Sequence, residues 1–403
     1  MAKAPARPIE VRANARQLLG MPAAAFLRDY WQKAPLLVRQ AFPGYVAPLS
    51  PEDLAGLACE EAALSRLVQH DRKADRWTVR SGPFDEAEFP RLGDRDWTLL
   101  VQDMDKWDAD VRALLDRFRF LPAWRMDDVM ISFATPGGSV GPHVDQYDVF
   151  LLQAQGRRRW QVDARAGASR NFRHDVELKL LQRFDASHEW VLEPGDMLYL
   201  PPGVPHHGEA VDACMTFSIG MRAPARAELL VDLAETVAAT LPEEARYTDP
   251  DLAPAADAYE IDAGAFARVD ATLDAMQSLD PAARREWFGR FITRYRSAGE
   301  VAAPPRAPKW TATLASLAKG ATLQRHPFAR TAWTALPGTR PGARLFVDGE
   351  AFAMGRSAAS TLAAAQQLDA AQVDALDAGG RAAVEALYAL GYYRLQPAAR
   401  TRR

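Results

Sequence analysis

The stretch that decides the fold is residues 129–162, VMISFATPGGSVGPHVDQYDVFLLQAQGRRRWQV, in which short β-rich runs alternate with turns that contain glycine and proline. Similar runs occur on both sides of it, from about residue 76 to residue 222: RWTVRS, WTLLVQ, HEWVLE, MLYLP and CMTFSIG. Many short strands with short connections favour an antiparallel sandwich or barrel over a parallel sheet. We predict a double-sheet jelly roll with a tight hairpin at Gln155-Gly156 and a type II turn over Glu193–Asp196.

The segments outside this region have helical patterns. Residues from about 10 to 70 look helical, and Ser50-Pro51-Glu52-Asp53 is a signal for the start of a helix. After residue 224, AELLVDLAETVAATL and PAARREWFGRFITRYR carry apolar stripes that need a neighbouring helix, either from this chain or from a second subunit. Residues 297–308, SAGEVAAPPRAP, have no periodicity and are predicted to be a linker.

The last hundred residues combine a predicted strand pair with alanine-rich helices. The strands are ARLFVDG and EAFAMG, which meet at Asp348-Gly349, a favourable pair for a hairpin turn. This pattern predicts a small α+β domain, for which a winged helix is one candidate.

Composition limits the function classes. The chain has 403 residues, a net charge of −3 and 25% charged residues, so neither general nucleic-acid binding nor disorder is expected. Two cysteines, Cys59 and Cys214, allow at most one disulfide, which is too few to stabilise a chain of this length. Without a run of about 18 apolar residues, no membrane span is expected, and we predict a cytoplasmic protein.

A metal site is predicted from two separate segments. His143 and Asp145 follow the Gly-rich turn PGGSVGP, and residues two apart on a strand project from the same face. The strand MLYL runs into the rigid Pro/Gly turn PPGVP, which ends in His206, and His206 can supply a third ligand. Two histidines and one carboxylate form a facial triad that suits Fe(II) better than zinc. His207 is the rival of His206, because a register error of one residue would exchange them.

The arginine triplet Arg157-Arg158-Arg159 lies on the predicted strand RRRWQV, which follows the Gln155-Gly156 turn. One arginine that points into the barrel can hold a carboxylate through a bidentate fork. Strand alternation leaves a choice between Arg158 and the pair Arg157 and Arg159. A basic, exposed strand edge is an equally good explanation from the residues alone.

Taken together, MISFATPGGSVGPHVDQYDVFLLQAQGRRRWQV, LEPGDMLYLPPGVPHHGEA and MTFSIGMRAP resemble the JmjC-type ribosomal oxygenases, which depend on Fe(II) and 2-oxoglutarate. The N-terminal FLRDYWQKAPLLVRQAFPG is also similar to the bacterial branch of this family, which hydroxylates an arginine of a large-subunit ribosomal protein. The resemblance is dense over roughly residues 20–225 and looser beyond them.

The resemblance implies a site and a set of co-substrates. His143, Asp145 and His206 match the iron ligands of the family, Arg158 matches its co-substrate arginine, and Ser132 matches a serine near the pocket. The implied reaction consumes 2-oxoglutarate and O₂ and yields succinate and carbon dioxide. His207 departs from the acidic or other polar residue expected in the bacterial relatives.

The resemblance also implies an α+β architecture. Residues 1–224 would form the catalytic domain, a double-stranded β-helix of the jelly-roll or cupin type with N-terminal helices. Residues 225–300 would form a helical dimerisation segment, and residues 301–403 a small winged-helix-like domain. The expected partners are a large-subunit ribosomal protein as substrate and a second copy of the chain.

Two other classes of function stay open. A cupin-fold metal enzyme that acts on a small metabolite without 2-oxoglutarate would need the metal ligands but not Arg158. A non-catalytic module that binds the ribosome or RNA would use the basic C-terminal residues Arg394, Arg400, Arg402 and Arg403. Four acidic residues near the predicted mouth in sequence could face a basic substrate: Asp127, Asp128, Asp148 and Glu209.

Overall fold

The chain divides into two compact units, residues 1–223 and residues 224–403. The computed structural model describes residues 7–250, 252, 254, 261–276, 280–295, 299, 301–306, 309–338 and 342–398. No helix among these residues is long and apolar enough to cross a membrane.

The first unit is built mainly from strands. In order they are β1 (Glu10–Arg12), β2 (Leu36–Arg39), β3 (Ser65–Asp71), β4 (Arg76–Ser81), β5 (Trp97–Val101), β6 (Met126–Ala134), β7 (Val149–Gln155), β8 (Arg158–Val162), β9 (His188–Leu192), β10 (Met197–Leu200), β11 (His206–Ala210) and β12 (Cys214–Met221). Its α-helices are α1 (Ala23–Asp29), α2 (Pro51–Ala58), α3 (Met104–Trp107) and α4 (Ala109–Leu114). Short 3₁₀ segments lie at Glu86–Arg91, Leu115–Phe118 and Ala123–Arg125.

These strands form two sheets. One has the order β1-β2-β10-β7-β12-β6-β5-β3-β4, and the other has the order β11-β8-β9. Leu151 and Leu198 of the larger sheet share a buried apolar cluster with Trp160 and Val162 of the smaller sheet, so the two sheets face each other. The double-sheet core predicted from the strand pattern is confirmed.

The opposite face of the larger sheet carries the main hydrophobic core. Ile131 and Phe217 pack there with Phe26 of α1 and Leu54 of α2. Strands that are covered on both faces need apolar residues at successive positions, which explains the continuous run VFLLQA of β7.

The N-terminal segment corrects one prediction. Residues 10–70 are not mostly helical, because α1 and α2 are short and three strands lie between and around them. Leu36–Val38 is drawn into the sheet by antiparallel pairing with Met197–Tyr199, which outweighs its helical pattern. The predicted helix start is confirmed, since the Ser50 hydroxyl accepts a hydrogen bond from the Asp53 backbone N–H.

Of the two predicted turns between strands, one is present and the other is not. Gln155-Gly156 does not close a hairpin, because β7 and β8 belong to different sheets and the chain crosses between them at this point. The local turn chemistry is the same for a hairpin and a crossover, so it could not tell them apart. The turn over Glu193–Asp196 is present, with the Asp196 N–H donating to the Glu193 carbonyl at 2.9 Å.

The second unit combines helices with two small sheets. Its helices are α5 (Arg226–Ala238), α6 (Ala263–Met276), α7 (Pro281–Arg294), α8 (Trp310–Leu317), α9 (Arg356–Ala364), α10 (Ala370–Asp374) and α11 (Ala378–Ala389). Its strands are β13 (Thr322–Arg325), β14 (Thr331–Ala335), β15 (Gly342–Val347), β16 (Glu350–Gly355), β17 (Gln367–Leu368) and β18 (Tyr393–Gln396). The orders are β17-β13-β18 and β14-β15-β16.

The predicted hairpin of this unit is confirmed: β15 pairs with β16 around Asp348-Gly349. Leu345 of β15 packs in one core with Leu362 of α9 and Leu387 of α11. Arg394 lies in β18, whereas Arg400, Arg402 and Arg403 lie outside the described residues, as does part of the predicted linker at 297–308.

Candidate metal centre and its cavity

Two chain segments bring the predicted metal ligands together. The segment after β6 carries His143 and Asp145, and β11 begins at His206. His143 and His206 exchange two backbone hydrogen bonds, each 3.0 Å long, so the two histidines lie directly opposite each other. Gly141, two residues before His143, has a φ of +76°, a left-handed conformation that favours glycine.

The three side chains converge on one point. His143 Nε2 lies 3.9 Å from Asp145 Oδ1, and His206 Nε2 lies 3.6 Å from Asp145 Oδ2. One ligand atom from each of the three residues lies within 4.8 Å of the others. This donor set, two imidazoles and one carboxylate, is that of a facial triad.

The tautomers of both imidazoles suit metal binding. His143 Nδ1 lies 2.9 Å from the Gly141 carbonyl, and His206 Nδ1 lies 2.9 Å from the Val204 carbonyl. A carbonyl can only accept, so each Nδ1 carries the proton and each Nε2 presents a lone pair to the shared point. Burial and the neighbouring His143 lower the pKa of His206 to about 4, so His206 is neutral at pH 7.

His207 lies on the other side of its strand. Its Nε2 lies 3.0 Å from the Ser139 hydroxyl, and its ring contacts the edge of Phe184. Ser139 in turn donates to the Gly208 carbonyl, so its oxygen accepts from His207. The structure therefore brings His206, and not His207, to the three-residue cluster.

A cavity of about 470 Å³ runs from the cluster into the space between the sheets. Arg158 lines it and is 3% exposed, with its guanidinium 5.2 Å from the centre of the Trp160 ring. Burial lowers the pKa of Arg158 and the Glu209 carboxylate opposes this shift, but among the described residues no carboxylate forms an ion pair with Arg158. A buried cation without an ion-pair partner is costly unless a ligand supplies one.

The structure separates the three arginines of the triplet. Arg157 and Arg159 point outward and pair with Asp212 and Glu189, at 2.8 and 3.4 Å. Arg158 points inward, where its Nη2 donates to the Gly208 carbonyl at 3.2 Å. Gly208 leaves room for this side chain, since a Cβ there would lie 2.7 Å from Arg158 Nε.

Several buried polar atoms of the cavity wall lack a hydrogen-bond partner. Within residues 7–223, the buried side-chain atoms of this kind are Thr98 Oγ1, Arg158 Nε, Arg158 Nη1 and Trp160 Nε1. All of them belong to residues that line this one cavity. Ser132 also lines it, and its hydroxyl makes only a long contact of 3.5 Å with the Thr216 carbonyl. Orphaned donors clustered in one cavity indicate a polar ligand.

The four acidic residues considered for the mouth have different roles. Asp128 lines the cavity, where burial and the neighbouring Asp103 and Asp127 raise its pKa to about 7. Asp127 pairs with Arg222 and Glu209 with Arg72, at 3.3 and 2.8 Å. The expectation for Asp148 is wrong: it is fully buried and accepts hydrogen bonds from the side chains of Tyr199, Gln32 and Arg125.

The sequence did not single out several wall residues near Asp128. Met130, Tyr147 and Ser218 line the same part of the cavity. Met130 and Ser218 are paired across β6 and β12, so they lie side by side. Met130 lies two residues after Asp128 on β6, so strand alternation could have placed it on the same face. Placing Ser218 beside it needed the register of β12.

Comparisons with known proteins agree with this geometry. The chain matches the family model of the JmjC domain over residues 113–229 and that of the ROXA-like winged helix over residues 274–394. It is 41% identical over 285 residues to the ribosomal protein uL16 3-hydroxylase of Escherichia coli (strain K12), and the match covers 70% of this chain and 74% of that protein. The chain belongs to the JmjC-type ribosomal oxygenases.

Further relatives support membership of this family. A probable ribosomal oxygenase of Haemophilus influenzae is 42% identical over 209 residues, which are 51% of this chain and 50% of that protein. The ribosomal oxygenase YcfD of Escherichia coli, solved in complex with cobalt and 2-oxoglutarate, has a TM-score of 0.76 and 35% identity. That match covers 94% of this chain and 99% of YcfD. The predicted family and the predicted winged-helix domain are confirmed.

Proposed function

We propose that this protein is an Fe(II)- and 2-oxoglutarate-dependent oxygenase that hydroxylates an arginine of a large-subunit ribosomal protein. The observation that carries the proposal is the joint presence, in one cavity, of a facial donor set and of a buried arginine with unsatisfied N–H donors. The names of the relatives support a ribosomal protein as the substrate.

The metal would be held by His143, Asp145 and His206. Their donor set fits Fe(II), because two imidazole nitrogens and one carboxylate would leave positions on the ion for other ligands. The carbonyls of Gly141 and Val204 fix the tautomer of the two histidines and hold their rings in place.

The co-substrate would be held by Arg158 and Ser132. Arg158 Nε and Nη1 lack protein partners, so this buried guanidinium has N–H donors left for a carboxylate. When bound, Fe(II), 2-oxoglutarate and O₂ supply an oxidative decarboxylation that leaves one oxygen atom for insertion into a C–H bond. The residues of this chain exclude bulk water and fix the orientation of the co-substrate.

The part of the cavity around Asp128 suits an arginine side chain. Asp128 offers a carboxylate, Ser218 a hydroxyl, and Met130 and Tyr147 provide apolar and aromatic walls. A guanidinium needs acceptors at its nitrogens and flat apolar contact along its faces. A bound guanidinium would also favour the ionised form of Asp128, whose pKa is raised in its absence.

Mass spectrometry of ribosomal proteins tests the proposal. Ribosomes from cells that lack the enzyme would be incubated with the protein, Fe(II), 2-oxoglutarate and O₂, beside a His143→Ala/Asp145→Ala control. We expect one large-subunit protein to gain a single oxygen atom on an arginine, only with the intact triad. Iron binding without succinate formation would instead support a cupin-type metal enzyme that does not use 2-oxoglutarate.

The exposed apolar residues of α5 and α6 support a homodimer as the functional form. Leu230 and Val231 of α5 are 67% and 56% exposed, and Phe266 and Leu273 of α6 are 58% and 51% exposed. A second copy offers the same apolar residues, so a two-fold axis can cover both sets at once. Light scattering at micromolar concentration should give twice the chain mass, and a monomer mass would contradict this proposal. A ribosomal substrate also agrees with the predicted cytoplasmic location.

A further inference from the structure

The deep end of the cavity lies across three neighbouring strands. Thr98 of β5 is paired with Ala134 of β6, and Ala134 is paired with Cys214 of β12. Ala134, Cys214 and Ala210 form a small buried cluster that closes this end. Thr98 and Cys214 therefore lie on either side of a residue whose side chain is a single methyl group.

Arg158 reaches the same end from the opposite sheet. Its guanidinium interacts with Cys214, and its Nε and Nη1 have no partner. Thr98 is 0% exposed, lines the cavity and has no partner for its hydroxyl. The space over Ala134 is thus flanked by two sets of unsatisfied donors, one from each sheet.

The neighbouring hydroxyls of Thr216 and Ser132, unlike that of Thr98, have contacts within the protein. Thr216 donates its hydroxyl hydrogen to Gln153 Oε1 at 3.1 Å, so this hydrogen is already in use. Ser132 has a long contact with a carbonyl. If Thr98 served only to fill space, valine would do so without burying an unpaired hydroxyl, whose burial is unfavourable.

We propose that the Thr98 hydroxyl is a second anchor for the far carboxylate of 2-oxoglutarate and donates to it opposite Arg158. This inference rests on the proposed function and adds a positioning residue for the co-substrate. The guanidinium and the hydroxyl would hold the carboxylate from two sides, so that a five-carbon dicarboxylate is distinguished from a 2-oxo acid that lacks this group.

The test compares two variants and two ligands on the Mn(II)-loaded protein, which binds the co-substrate without turnover. Thr98→Val removes the hydroxyl at nearly constant volume, and Thr98→Ser keeps it. The ligands are 2-oxoglutarate and 2-oxopentanoate, which has the same chain length but no far carboxylate. Calorimetry gives the four dissociation constants for the variants and the two for the unchanged protein.

We expect Thr98→Val to raise the dissociation constant of 2-oxoglutarate about tenfold, because a hydrogen bond to a charged group is lost. The constant for 2-oxopentanoate should change by less than about twofold, and Thr98→Ser should bind 2-oxoglutarate nearly as the unchanged protein does. Without ligand, Thr98→Val should unfold at the same or a higher temperature, since it removes a buried unpaired hydroxyl.

Three outcomes overturn the inference. Equal binding of 2-oxoglutarate by Thr98→Val and the unchanged protein, or equal losses for both ligands, shows that Thr98 does not contact the far carboxylate. If the unchanged Mn(II)-loaded protein binds neither ligand, the proposed function fails and the inference falls with it.

Discussion

One face of the nine-stranded sheet buries apolar side chains, and the other lines the polar cavity. Neighbouring residues of the same strand contribute to both faces. On β6, Val129 and Ile131 pack into the main core and are fully buried. Asp128 and Ser132, from the same strand, line the cavity. Since side chains alternate along a strand, one segment provides stability through its odd positions and chemistry through its even ones.

The difference between the faces shows why the cavity can keep unsatisfied groups. The main core contains closely packed apolar side chains such as Phe26, Phe150 and Phe217. Such packing supplies stabilisation that does not depend on the cavity. The cavity wall can therefore carry Arg158 and Thr98 with unpaired polar atoms, which are unfavourable in the ligand-free protein and favourable once a ligand binds.

The largest expected effect comes from the neighbours His206 and His207. His206→Ala should remove metal binding and lower hydroxylation by more than about a hundredfold, because one of three donors is lost. His207→Gln should keep the metal, since the glutamine amide can still donate to the Ser139 hydroxyl. Metal content and product mass measure both variants. A protein that loses its metal in His207→Gln and keeps it in His206→Ala would place the third ligand one residue later.

A second pair separates stability from binding. Ile131→Ala opens a void in the main core and should lower the free energy of unfolding by about 2–5 kcal/mol, with no change in the affinity for 2-oxoglutarate. Ser132→Ala should leave stability nearly unchanged and weaken that affinity several-fold. Denaturant unfolding and calorimetry test the two variants. Equal changes of affinity in both would show that the two faces are not independent.

Alternation explains how much of the β core was predictable. Strand β4, RWTVRS, has the predicted bounds, and β5, β6 and β12 lie within a few residues of theirs. Strand β3, SRLVQHD, was missed because polar residues interrupt its apolar pattern. Strand β2 was missed because three consecutive apolar residues fit a helix face as well as a buried strand.

The site was predictable where spacing along the chain is short. His143 and Asp145 are two residues apart, and one bridge between two segments places His206 opposite His143. The inward position of Arg158 needed the pairing of β8 with β11, which the residues alone leave ambiguous. Asp128 was one of four acidic residues that the sequence offered for the mouth, and no local pattern marked Thr98; placing either residue in the wall needed the register of strands that are distant in sequence.

A third pair separates the role of Asp128 from that of its neighbour Val129. Asp128→Asn removes the charge that the proposed arginine would meet and should raise the KM for the protein substrate about tenfold. The site for 2-oxoglutarate should be unaffected. A KM for the substrate that does not change would show that Asp128 lies outside the substrate path, whereas Val129→Ala should affect only stability.

The raised pKa of Asp128 predicts the sign of a pH effect on stability. Its ordinary pKa is 3.8 and its value in the folded protein is about 7, mainly because of burial. Between these values the unfolded state releases the proton first, so ionisation favours unfolding as the pH rises from about 4 to 7. The unfolding temperature of Asp128→Asn relative to the unchanged protein should therefore increase over this range and level off above it. An arginine-containing substrate peptide should reduce the difference at pH 7, because its guanidinium stabilises the ionised carboxylate. A difference that does not vary with pH would show that Asp128 is ionised in the folded protein throughout.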